Sequence, residues 1–131
     1  MSDFRSFFVR TTQLGYTLIL ILLLASPALA DEWTRADTYR EVAYLALHCA
    51  DWSQTLTIAD NPQKWNETNP ILGSHPSRGD VNTYFIATGL LHPVISYVLP
   101  RPWREVWQYG TIGLEVVVVG NNARIGIGFS F

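Results

Sequence analysis

His48 and Asp51 stand three residues apart in the apolar run LALHCADWSQT, between Tyr44 and Thr55. An imidazole beside a carboxylate can pass protons, and each can ligate a divalent cation. Two further histidines, His75 and His92, and two further carboxylates, Glu67 and Glu115, occupy apolar helices or the loop between them. Together His48, Asp51, Glu67, His75, His92 and Glu115 form the candidate catalytic cluster. No local metal signature such as H-E-x-x-H accompanies them, so no metal or other cofactor is assigned.

Helical spacing explains how such residues could meet. Tyr44, His48, Asp51 and Thr55 follow i, i+4, i+7 and i+11, with Gln54 beside them. Tyr84, Thr88, His92 and Ser96 recur every four residues, and Gln108, Thr111, Glu115 and Asn122 fall on one face of a third segment. Three apolar cylinders with one polar stripe each predict a bundle with the stripes turned inward. An unpartnered polar group facing an apolar medium costs several kcal/mol. Polar contacts of this kind often fix only helix register and partner choice, and that role is favoured over chemistry here.

Thr34 and Asp37 make a capping-box start for a helix from Arg35 to about Ala59, closed by Asp60-Asn61-Pro62. At roughly 37 Å it is long enough to cross a bilayer. A second helix is expected from about Val81 to Leu99, capped by Asp80 or Asn82. A third runs from Trp103 to about Val119, with Pro102 in its first turn. Gly120-Asn121-Asn122 reads as a turn, and Ile125, Ile127, Phe129 and Phe131 alternate like a strand. Arg101, Trp103, Arg104, Trp107 and Tyr109 suit a membrane interface.

Residues 1–30 read as a secretory signal peptide. Arg5 and Arg10 precede the apolar run Leu14–Leu24, and Ala28 and Ala30 form an A-x-A-like cleavage site after Pro27. An uncleaved anchor helix is the alternative. The expected fold is therefore mainly α: a signal peptide, then a membrane-associated three-helix domain over 31–131 with a short strand-like tail. Only 15% of residues are charged, against about 25% in ordinary globular chains. No basic run is present, which argues against nucleic-acid binding. Cys49 is the single cysteine, so no internal disulfide can form.

Between the first two helices, KWNETNPILGSHPSRG packs Glu67, Asn69-Pro70, Gly73 and His75-Pro76 into a dense turn cluster. Glu67 and His75 could act as an acid/base pair facing Asp51. The structural alternative is a corner in which Asn69 caps backbone groups and Ile71-Leu72 plug the bundle. The pattern D-x-x-Q-T (Asp51, Gln54, Thr55) followed by E-x-N-P-I-L-G (Glu67, Asn69, Pro70, Gly73) resembles small exported membrane proteins of proteobacteria and their phages. The resemblance implies a helical, membrane-associated exported protein and carries over no catalytic role.

The leading expectation is an accessory or interaction component of the bacterial envelope at the inner membrane or its periplasmic side. Its partners would be membrane lipid and another envelope protein. The alternative is a small metal- or carboxylate-dependent hydrolase using Asp51, Glu67, His75 and His92. A β-barrel ending at Phe131 is disfavoured by the capping and proline signals.

Overall fold

The computed structural model describes residues 31–130. The proposed signal peptide and Phe131 lie outside the described residues. Three helices follow one another: α1 (Arg35–Asp60), α2 (Arg78–Val98) and α3 (Arg101–Arg124). The chain is thus mainly α, and no strand occurs among the described residues.

The first two helices both start at reciprocal caps. Thr34 Oγ1 accepts from Asp37 N while the Asp37 carboxylate accepts from Thr34 N, and Ser77 and Asp80 repeat the arrangement at α2. The second helix therefore begins at Arg78, three residues earlier than the apolar pattern suggests, with Ser77 rather than Asp80 or Asn82 as the cap. Pro100 precedes α3, and Pro102 sits in its first turn, where its missing N–H has no helical acceptor to serve.

The turn-like reading of Gly120-Asn121-Asn122 is corrected: α3 continues through them to Arg124. The strand-like reading of the tail is corrected too. Alternation needs a partner strand to become a ladder, and the tail finds a helix instead. Ser130 N donates to Ser53 Oγ at 2.9 Å, and Thr57 Oγ1 donates to Gly128 O at 3.0 Å, pinning the tail along α1. Buried Ile127 anchors it.

α1 is the central element. The other two helices pack mainly on it and only sparsely against each other. A small apolar core of Leu56, Val81 and Phe85, with Trp52 and Leu72 against it, ties α1, α2 and the loop together. Elsewhere the distribution is inverted. Among the described residues ten polar or charged side chains are buried against six hydrophobic ones, while seventeen large hydrophobics are exposed.

No helix among the described residues is long and apolar enough by itself to cross a membrane, which corrects the expectation of a transmembrane helix. Length is met; mean hydropathy is not, because each helix devotes one face to the inward polar stripe.

Candidate functional site: a polar seam between three helices

The inward face of α1 starts earlier than the run around His48. Asp37, Glu41, Tyr44, His48, Asp51 and Thr55 follow helical spacing along one face, and α2 or α3 brings a partner to each but Thr55. At the lower end, Arg104 on α3 is fully buried. Its Nε donates to Ser96 O at 2.9 Å, Nη2 to Asp31 O at 2.9 Å, and Nη1 to both Glu32 O and Asp37 Oδ2 at 3.3 Å. Arg40 closes on the other oxygen of Asp37. Burial works to raise the Asp37 pKa, but hydrogen bonds from Thr34 and Arg40 and the charge of Arg104 outweigh it and hold the carboxyl below its usual 3.8. At the α2 cap, bonds from the Ser77 hydroxyl and backbone likewise lower Asp80.

One turn higher, Glu41 is saturated. Oε1 lies 2.6 Å from His92 Nδ1, and Oε2 accepts from Ser96 Oγ at 2.9 Å and Gln108 Nε2 at 3.0 Å. The other nitrogen of His92 meets Thr111 Oγ1 at 2.8 Å. That hydroxyl spends its proton on Trp107 O at 2.8 Å, so His92 Nε2–H donates to it. Nδ1–H faces the carboxylate, and both ring nitrogens are engaged.

His48 repeats this logic. Nε2 donates to Phe85 O at 3.1 Å, and Nδ1 lies 2.9 Å from Glu115 Oε1. Since a carbonyl only accepts, Nε2 carries a proton, and a second proton sits between Nδ1 and the carboxyl oxygen. Each His–Glu pair is then neutral as a unit. Tyr44 is stacked between the two imidazoles, its ring centroid 3.5 Å from His92 and 5.2 Å from His48. Gly89 lies beside the His48 imidazole, where a Cβ would make ordinary contact with His48 Cδ2 at 3.4 Å.

Asp51 differs from the other inward carboxylates. Asn122 Nδ2 donates to it at 3.4 Å, a weak contact, and it lines two adjoining cavities of about 220 and 390 Å³ in the seam between α2 and α3. His48, Asp51, His92 and Glu115 all line the smaller one. Glu67 lines the larger, together with Asp51 and Glu115. His75 is exposed on the loop and lines neither cavity, so the structure does not join it to Glu67 and Asp51.

Glu67 is also committed to the loop. Its Oε1 accepts from Thr68 N at 2.8 Å and Asn69 N at 2.7 Å, while Asn69 Oδ1 accepts from Ile71 N at 3.0 Å. Asn69 O then accepts from Leu72 N and Gly73 N, and Gly73 has φ of 73°, the left-handed region that favours glycine. The E-x-N-P-x-x-G spacing is thus a self-capped turn, with Pro70 at a position whose fixed φ suits it. Gln54 and Thr55, the other motif residues, are buried against α3 and within α1, and Gln54 Nε2 donates to Val119 O at 3.4 Å.

Sequence reasoning missed Asp37, Glu41 and Arg104. The signal was present: Glu41 stands seven residues before His48, and Arg104 four before Gln108, on the stripes already identified. Among the described residues no group of three or more His, Cys, Asp or Glu side chains is arranged to hold a metal ion. No family model, curated protein or solved structure matches the chain.

Proposed function

We propose that the protein is a small exported, membrane-associated component of the bacterial envelope, encoded by a bacterium or its phage, whose inward polar residues lock the bundle rather than carry out a reaction. Its partners are lipid and a second envelope protein. The observation that supports this reading most is the inverted surface. From Val42 to Ala59, Val81 to Leu99 and Val106 to Ala123 the only Asp, Glu, Lys or Arg residues are Asp51 and Glu115. Both line the interior cavities.

These three segments, free of Asp, Glu, Lys and Arg apart from those two, are about 27 Å long or slightly more, close to the roughly 30 Å of a hydrocarbon core. Each helix alone is too polar for lipid, but lipid meets only the outside of the assembled bundle. There it would find Ile86, Leu90, Val94, Val106, Val116 and Val117. A patch of this extent is foreign to a monomer in water.

A locking role is favoured by the histidines. Both nitrogens of His48 and of His92 are engaged, so a substrate or metal would have to displace an existing bond. The hydrolase reading retains only the cavity shared by Asp51, Glu67 and Glu115.

Alkaline carbonate extraction of membranes from expressing cells tests the proposal. The chain is expected in the membrane pellet; quantitative release into the carbonate supernatant would overturn it.

A further inference from the structure

The polar seam is saturated at its lower end and unsaturated at its upper end. Below, every carboxylate oxygen of Asp37 and Glu41 is bonded, and Arg40, Arg104 and His92 face them. Above, Asp51 receives only a long bond from Asn122 and one from Thr55, and no cation among the described residues pairs with it. Glu115 gives one oxygen to His48, while its Oε2 is buried with no hydrogen-bond partner.

These acceptors border a shared space. Asp51, Glu115, Tyr84 and Phe85 line both of the adjoining cavities of about 220 and 390 Å³. Glu67 adds a third carboxylate to the larger one, and among the described residues no Lys or Arg lines either. His48 and His92 line the smaller one, but each already faces its own glutamate. Asp51 and Glu67 are thus left without a countercharge.

The walls are aromatic. Tyr84 and Phe85 stand at 85° to each other with ring centroids 5.2 Å apart, forming a corner, and Trp107 lines the smaller cavity. Aromatic faces attract cations through the ring quadrupole. Leu91, Leu114 and Val118 make the rim apolar and exposed.

We propose that the upper seam binds a primary alkylammonium ion, with its charged head among Asp51, Glu115 and the aromatic walls and its hydrocarbon tail along Leu91 and Leu114. The negative lining selects a cation. Acceptors that lack donors select N–H groups, which a quaternary ammonium does not have. The apolar rim selects a tail over the bare ammonium ion. Binding forms and breaks no covalent bond and uses acceptors that the locking contacts leave free, so it goes beyond the locking role without replacing it.

Isothermal titration of n-hexylamine hydrochloride at pH 7 into the full-length chain in a nonionic detergent, with empty micelles as reference, tests the site. We expect saturable binding. Hexanol, with the tail but no charge, and hexyltrimethylammonium, with the charge but no N–H, should each bind about tenfold more weakly. This comparison uses the wild-type chain alone and holds whatever substitutions do to folding. Asp51→Asn should weaken hexylammonium binding about tenfold and Tyr84→Leu about threefold. Glu32→Gln, at an exposed carboxylate outside both cavities, should leave it unchanged. No saturable binding, hexanol binding as tightly as hexylamine, or equal losses for Asp51→Asn and Glu32→Gln would overturn the site.

Such a head occurs on soluble amines and on ethanolamine lipids, and titration in nanodiscs separates the two sources. Hexylamine binding that weakens when phosphatidylethanolamine replaces phosphatidylcholine assigns the site to the lipid head group. Unaltered binding assigns it to a soluble amine, and either result supports the ammonium site.

Discussion

His92 Nδ1 and Glu41 Oε1 approach to 2.6 Å across fifty-one residues of sequence, in a site where both side chains are buried. Around them Ser96 Oγ and Gln108 Nε2 donate to the second oxygen of Glu41, and Thr111 Oγ1 accepts from His92 Nε2. Such a site tolerates loss of both charges better than loss of one, because a single survivor is left buried without its partner.

Glu41→Ala is therefore expected to destabilise the bundle by about 3–5 kcal/mol. A Glu41→Gln/His92→Gln double variant should lose less than the sum of its singles. Reversible unfolding in mild detergent, followed by circular dichroism, gives both numbers. Additive losses would mean the pair is not a unit.

Arg104 reaches five acceptors on three parts of the chain, a task that needs the planar fork of a guanidinium. Arg104→Lys should lower stability by about 2–4 kcal/mol despite keeping the charge. It should also raise hydrogen exchange at Asp31 to Trp33. A neutral Arg104→Lys variant would show that charge alone holds the corner.

Asp51 should respond in the opposite sense. It lacks a cation partner at bonding distance, and its hydrogen bonds are a long one from Asn122 and one from Thr55 on its own helix. Asp51→Asn is expected to change stability by no more than about 1 kcal/mol, since removing a poorly compensated charge offsets the lost contact. The same variant separates lock from chemistry: a folded Asp51→Asn protein that has lost its cellular phenotype would favour the hydrolase reading.

Two capping carboxylates give the pH dependence. Asp37 and Asp80 are both held below 3.8 in the folded chain. A depressed folded pKa contributes stability that is fully present above the unfolded value and is lost as pH falls through the folded one. Thermal unfolding should therefore show a constant, full contribution from these caps between pH 7 and 5 and a falling midpoint below pH 3.8. Asp37→Asn and Asp80→Asn should each flatten that acid limb.

Much of this arrangement was legible in helical spacing. Helical i+3 and i+4 spacing put His48, Asp51, His92 and Glu115 on inward stripes, and all four line one cavity. On α1 the stripe is hard to extend past Tyr44 by spacing alone, because Asp37 near the helix start equally reads as a capping residue. Arg104 was grouped with Trp103 and Trp107 as an interface cation. Its burial depends on the chain entering at Asp31, a contact seventy-three residues away in sequence that no local pattern encodes. The tail misled for a similar reason: alternation at Ile125, Ile127 and Phe129 specifies a strand only where an edge awaits it, and α1 offers none.

The proposed lipid contact is probed at Leu90, 68% exposed near the middle of α2. The measurement is the unfolding free energy of Leu90→Arg relative to wild type, both reconstituted in phospholipid bilayers. At the centre of a lipid-facing helix an arginine should cost about 2.5–3.5 kcal/mol. A surface facing water would accept the same arginine with a change within about 0.5 kcal/mol, and that result would contradict the membrane-associated reading.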